Sequence, residues 1–257
     1  VSVPEKKITL GVGETYQIVP ILKPAESEAE YTFTSQRRSV AEVDGDGLIT
    51  AIKAGTATVT VRTATGKRAS MSVTVLAAPT GVRLQNVPQV MGVGEIAPYS
   101  LSFTPAKKVR NSATVTSDDE SVLRVEGGNL VAVSEGTAVV TATTYNGLTD
   151  STAVNVCPAI TALSFDSEDI TISVGVKEDV QARAEDDENG KITYSAKTNS
   201  DKKIVSVTSD GTLTGRKVGT ATVVAKAYNG VTAELTVHVI ASPKSVKLSA
   251  KKAKLGA

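Results

Sequence analysis

One short phrase recurs three times along the chain: Gly55-Thr56-Ala57-Thr58-Val59, Gly136-Thr137-Ala138-Val139-Val140 and Gly219-Thr220-Ala221-Thr222-Val223. Recurrence at long intervals constrains the fold more than local propensity does, because each copy must build the same supersecondary unit. Every copy opens a run in which apolar residues alternate with threonine or another residue, the period of a half-buried strand. Eleven residues after each leading glycine stands another, at Gly66, Gly147 and Gly230. In two copies it closes Tyr145-Asn146-Gly147 and Tyr228-Asn229-Gly230. Asn-Gly between alternating runs predicts a hairpin with both turn residues at positive φ.

A second anchor lies upstream, where Gly11-Val12-Gly13-Glu14 matches Gly92-Val93-Gly94-Glu95 and, more loosely, Ser173-Val174-Gly175-Val176. Gly13 to Gly94 and Gly94 to Gly175 are both 81 positions. From anchor to phrase is 42 positions in the first two copies and 44 in the third, which predicts a two-residue loop insertion there. Val1-Ser2-Val3 aligns with Val82-Arg83-Leu84, Leu163-Ser164-Phe165 and Val246-Lys247-Leu248. The later three follow short joints, Ala78-Pro79-Thr80, Cys157-Pro158-Ala159 and Ser242-Pro243-Lys244. The expected domains are therefore 1–77, 78–157 and 158–240, with 241–257 the start of a fourth. On this reading the sequence is a window on a longer polypeptide.

Forty per cent apolar and 21% charged residues describe a folded chain, far from a disordered one. Valine, threonine and alanine dominate, and no stretch reads as a long amphipathic helix, so the fold class is all-β. No apolar run is long enough to cross a bilayer, so no membrane insertion is expected within this chain. The net charge of +1 is spread without a basic face, and stacking aromatics and recognition helices are missing, which argues against nucleic acid. The five lysines of 241–257 read as one edge of an unfinished domain. The single cysteine, Cys157, excludes an internal disulfide, and its place in a joint suits no catalytic thiol.

Within the first copy, Lys6 to Leu10 reads as a short edge strand and Glu14 to Leu22 as a long one, with Pro20 and Pro24 at an edge or turn. Tyr31-Thr32-Phe33-Thr34 follows, with Phe33 in the core and Val115 and Tyr194 as its counterparts. Then come Val40 and Val43, Val122 and Val125, Ile204 and Val207; the turn Asp44-Gly45-Asp46-Gly47; and a strand burying Ile49, Leu130 or Leu213. The final hairpin should bury Ala57, Val59 and Val61 on one arm and Met71, Val73 and Val75 on the other. In the third copy Leu235, Val237 and Val239 take that place, leaving His238 facing out. Six or seven short strands with regular turns make a small antiparallel β-sandwich, and short proline-stiffened links make three of them a rod.

The pattern Ser39-Val40-Ala41-Glu42-Val43, a glycine turn, Ile49-Thr50-Ala51-Ile52-Lys53-Ala54 and Gly55-Thr56-Ala57 resembles the bacterial immunoglobulin-like domain family, group 2. The second and third copies, Ser121 to Ala138 and Ile204 to Ala221, resemble it with drift, and the family's frequent tryptophan is replaced by Phe33, Val115 and Tyr194. The resemblance implies tandem immunoglobulin-like sandwiches in an extracellular setting, on a bacterial cell surface or, alternatively, a phage virion. There such domains act as spacers in adhesins resembling intimin and invasin, in surface-layer proteins and in phage structural proteins. It brings no catalytic residues.

Sharper readings of the residues are weaker. Nucleophilic catalysis usually needs a base, and the one histidine lies on the outer face of a strand, about 80 positions from Cys157. Asp44-Gly45-Asp46-Gly47 and Glu185-Asp186-Asp187-Glu188-Asn189 offer oxygens to calcium, yet read first as a turn and a solvated loop tip. Sugar binding generally wants exposed flat aromatics; Tyr145 and Tyr228, just before the hairpin tips and off the inward register, read rather as caps on the sandwich end. No catalytic, cofactor or metal residue is assigned. Two classes stand: a non-catalytic stalk of a larger surface protein, and a binding module whose end loops contact a receptor or glycan. The third copy is the better candidate for the second class. The expected partners are other domains of the same polypeptide and, in the second reading, that receptor or glycan.

Overall fold

The computed structural model describes residues 1–23, 29–185, 188–243 and 245. Pro24, the acidic pair Asp186-Asp187 and most of the expected fourth copy lie outside the described residues.

Three copies of one sheet plan follow each other. In the first, a four-stranded sheet runs Lys7–Gly11, Arg68–Leu76, Gly55–Thr63, Tyr31–Ser35. A three-stranded sheet, Thr15–Gln17, Leu48–Ala51, Ala41–Val43, faces it. The second copy repeats both sheets, from Val90–Gly92 and Ile96–Pro98 onward, and the third from Asp169–Ser173 and Lys177–Asp179 onward. The architecture is all-β, tandem β-sandwiches, as expected.

The inward register holds along the hairpins. Ala57, Val59, Val61, Met71, Val73 and Val75 are buried, and so are Leu235, Val237 and Val239, with the His238 side chain about half exposed outside. Ile49, Leu130 and Leu213 are fully enclosed. Phe33 and Tyr194 are buried in matching positions, opposite Val61 and Ala225, while the smaller Val115 is only partly covered. Three main clusters of buried residues result, drawn from 8–75, 91–156 and 172–239, each confined to one copy. The glycine that opens each phrase is fixed by this packing. Gly55, Gly136 and Gly219 have φ of 154°, 143° and 153°, and a Cβ there would stand 3.1, 2.9 and 3.0 Å from Val40, Val122 and Ile204.

Four expectations change. The first strand of each unit pairs parallel with the last, Lys7–Gly11 with Arg68–Leu76 for example, so the sandwich is not purely antiparallel. The long strand from Glu14 to Leu22 is broken: Thr15–Gln17 pairs in one sheet, and Ile21 bridges Ser2 beyond Pro20. In the second unit the same crossing falls after Pro98, between Ile96–Pro98 and Ser100–Thr104, which pair with different sheets. Proline cannot donate to a ladder, and the chain changes sheets there.

The third change concerns the hairpin tips. At Gly147 and Gly230 only the glycine takes positive φ, 82° and 95°, whereas Asn146 and Asn229 do not. Gly147 N donates to Thr144 O and Thr144 N to Leu148 O, giving a three-residue loop with a glycine bulge that projects Tyr145 and Asn146 from the tip. The fourth concerns the insertion in the third unit, which is a net result. The stretch from Gly175 to Ile192 is two residues shorter than that from Gly94 to Ala113. The stretch from Ala196 to Ile204 is three longer than that from Ser117 to Val122, where the single helical turn Asp201–Ile204 forms. One more residue separates Ile204 from Leu213 than Val122 from Leu130.

Because each core is closed within its unit, Val59→Asp is expected to unfold the first unit and leave the others folded. A buried unpaired carboxylate costs several kcal/mol, comparable with the roughly 5–15 kcal/mol that hold a domain together. Calorimetry of parent and variant should show one transition lost; collapse of all three together would contradict separate cores.

Candidate functional site: the joints between units

The two copies of Tyr-Asn-Gly each cover a sandwich end, and the end is that of the preceding unit. Each reaches back onto the upstream anchor of the preceding unit. Tyr145 Oη donates to Val12 O at 3.0 Å, and Tyr228 Oη to Val93 O at 2.7 Å. The neighbouring amides do the same for the linking chain: Asn146 Nδ2 donates to Pro79 O at 3.0 Å and Asn229 Nδ2 to Ile160 O at 2.7 Å. Val12 and Val93, like Pro79 and Ile160, stand 81 positions apart, so the two joints are one device built twice.

The acceptor side is shaped for the ring. A Cβ at Gly11 would overlap the Tyr145 phenol, and one at Gly92 the Tyr228 phenol and Asn189 O. The glycines that open these loops are therefore demanded by the next unit, not by their own backbone. Glu14 closes its loop by accepting from Gly11 N at 2.8 Å and turns the same oxygen to Arg110 Nε of the second unit at 3.0 Å. Glu95 repeats this with a different donor: Gly92 N at 3.1 Å and Lys191 N of the third unit at 3.2 Å. Glu95 is 3% exposed, yet both its bonds come from backbone N–H groups. Such charge-assisted bonds are stronger than neutral ones.

In the first joint the donor is also oriented from behind. Buried Thr144 donates its hydroxyl to Asn146 Oδ1 at 2.7 Å, which turns the amide nitrogen towards Pro79. Arg110 N donates to Ala77 O at 2.9 Å, joining the backbones across the link.

Burial pushes the ionisation of Tyr145 above its ordinary 10.0; the Glu14 carboxylate adds to this and Arg110 offsets part of it. Tyr228 is raised by burial and then by Glu95. Both hydroxyls must keep their protons to donate, so the two effects agree.

The other residues singled out by sequence have local roles. Asp44 Oδ1 accepts from Asp46 N at 3.0 Å and Leu48 N at 2.8 Å, closing its own turn. Glu188 binds the backbone and hydroxyl of Thr161, and these bonds hold its carboxyl below the usual range. Cys157 ends its strand half-buried, with Asn155 Nδ2 3.2 Å from Sγ. His238 Nδ1 lies 3.2 Å from Thr220 Oγ1 across the hairpin. Among the described residues no group of three potential metal ligands converges, and no helix is long and apolar enough to cross a membrane.

Residues 1–75 match the family model of the bacterial Ig-like domain (group 2). An uncharacterized protein of Clostridium acetobutylicum is 31% identical over 140 residues, which are 53% of this chain and 14% of that protein. The chain thus spans a small part of the length of that curated relative. Among solved structures, domains 4 and 5 of the S-layer protein SbsC are 26% identical, covering 49% of this chain and 70% of that one, at a TM-score of 0.25. Protocadherin gammaB7 EC3-6 is 14% identical over 93% of this chain and 73% of that one, at a TM-score of 0.28.

Two predictions follow from the geometry. Tyr228→Phe should weaken docking of the third unit by about 0.5–1.5 kcal/mol, the net worth of one hydrogen bond, and Gly92→Ala should expel the ring. The Tyr228 ring resonances would show a small shift in the first variant and a solvent-exposed environment in the second. Alkali should also undo the joints. A raised phenol contributes its docking stability in full below the ordinary 10.0, and loses it as pH climbs through the raised value. Tyrosinate absorbance should therefore rise at higher pH in the parent than in Tyr145→Ala/Tyr228→Ala.

Proposed function

We propose that this chain, whose first unit belongs to the bacterial Ig-like domain family (group 2), is a non-catalytic extracellular spacer within a larger surface protein. The observation that carries this reading is the doubled joint, together with where it sits in each unit. The acceptor loop Gly11–Glu14 lies beside Leu76, where the hairpin ends, and the tip at Gly66 lies at the other end of two nine-residue strands. A tip that docks on the far end of its predecessor can only propagate the array forward. Tip-to-tail stacking of closed cores is what a projecting element requires, and a catalytic cleft has no part in it.

The chain's partners, on this reading, are further units of the same polypeptide and a binding element that the spacer holds away from a bacterial cell surface. The alternative, in which the repeats themselves contact a receptor or glycan, loses part of its support. Tyr145 and Tyr228, the aromatics best placed for a sugar, have their hydroxyls committed to the joints. Glu188 and Asn189 of the acidic loop are engaged at the second link.

Nine-residue strands at about 3.3 Å each are about 30 Å long, and end loops bring a unit to about 35–40 Å. Three units in line reach on the order of 100–120 Å, with a radius of gyration of about 30 Å. Small-angle scattering from the chain should return those dimensions. A radius near about 18 Å, that of a compact globule of this length, would overturn the spacer reading.

A further inference from the structure

The three units are not interchangeable at their ends. The hairpin tip of the first reads Ala64-Thr65-Gly66, with neither the tyrosine nor the asparagine that docks in the other two. The acceptor loop of the third reads Ser173-Val174-Gly175-Val176. Its backbone turn is kept, with Val176 N donating to Ser173 O at 3.1 Å as Glu14 N does to Gly11 O at 2.9 Å. Its chemistry is not. A serine side chain occupies the column that must be glycine for a tyrosine ring to enter, and an exposed valine replaces the carboxylate that binds across the joint. The third carbonyl of the series already has a local partner: Ser242 Oγ, in the link following the unit, donates to Val174 O at 2.5 Å.

We infer that the tyrosine latch delimits a stiff segment of three units, and that the chain carries a pivot at the Ser173–Val176 end. The first unit's tip is a second such boundary, since Ala64 and Thr65 supply neither the phenol nor the amide that make the latch in the other two. Domains with small polar contacts move relative to one another by default, and a joint is stiff only where specific contacts hold it. The first joint is crossed by Tyr145–Val12, Arg110–Glu14 and Arg110–Ala77 and the second by Tyr228–Val93 and Lys191–Glu95, with Asn146 and Asn229 holding the link beside them; the acceptor loop of the third unit lacks every side-chain determinant of these contacts. This goes beyond the spacer reading and is independent of it, because it concerns which joints bend and not what the array presents.

The test transplants each boundary into the second joint of the chain. Spin labels are placed at Glu120→Cys and Lys202→Cys in a Cys157→Ala background, and at Glu120→Cys and Thr143→Cys as a control within the second unit. The parent should give one narrow distance distribution across the joint. Gly92→Ser/Glu95→Val, which writes the third unit's acceptor loop into the second, should broaden it about twofold or more, with the control pair unchanged. Tyr228→Ala/Asn229→Thr, which writes in the first unit's tip and leaves the second unit untouched, should broaden it equally. It also decides the matter if the acceptor variant disturbs the control pair. A distribution as narrow as the parent's in the donor variant, or in an acceptor variant with its control intact, would overturn the pivot. In that case scattering could still report an extended chain, so failure here and failure of the spacer reading are distinguishable.

Discussion

The structure above the level of single sandwiches is organised around one repeated hydrogen bond, a tyrosine hydroxyl given to a valine carbonyl of the preceding unit with a glycine making room, and a glutamate beside it that also binds across the joint. The carbonyls of Val12 and Val93 sit in loops at the sandwich ends, where no strand lies opposite them. Backbone acceptors left at such an end must find water or another partner. The next unit supplies the partner, and the ring that carries it covers the loop. Glycine is needed at positions 11 and 92 for the same reason, and glutamate at 14 and 95 serves the loop and the neighbour with one oxygen.

That geometry rests on the parallel first strand. In an up-and-down antiparallel sandwich, the start of the unit and the hairpin tip could fall at the same end. Pairing Lys7–Gly11 parallel to Arg68–Leu76 carries the chain to the end where the last strand also finishes, and the acceptor loop follows there. The last strand then leaves for the next unit from beside that loop: Val12 N donates to Leu76 O at 3.0 Å, and Val93 N to Cys157 O at 3.0 Å. Acceptor loop and departing link are thus held together, and the next tip contacts both.

The core was legible in the sequence because burial in a strand has a period of two, and three copies let each alternation be checked against the others. Phe33, Ile49, Val59, Leu130 and Leu235 fall where the pattern puts them. The joint was not legible for the opposite reason. Its halves lie 133 and 135 residues apart, with no period to connect them. Tyr-Asn-Gly and Gly-Val-Gly-Glu were both visible as repeated words, but each has an adequate local explanation as a turn, and local explanations hide contacts between units. A signal was present in their covariation: the copy without Tyr-Asn is the first, the copy without Gly-Val-Gly-Glu is the third, and the two intact pairs are consecutive. The broken strand at Pro20 and Pro98 was foreshadowed by the prolines, whereas the parallel pairing of the first strand has no local mark at all.

A latch this small is sufficient because it never has to find its partner. A hydrogen bond is worth only about 0.5–1.5 kcal/mol net, far too little to join two free proteins against the several kcal/mol lost in association. Joined by links of a few residues, neighbouring units meet at an effective concentration in the millimolar range or above, and the entropy of bringing them together has already been met by the covalent chain. What remains for the latch is to select one orientation among those the link allows. Tyrosine suits this, since it offers a rigid ring with two rotatable bonds and one directional donor. Because the tyrosine and asparagine of the tip lie outside the cores, a change there alters the bending of the array and leaves the packing within each unit in place. Stiffness in such a chain is written joint by joint, by tip residues outside the cores and by glutamates that serve their own loop and the neighbour at once.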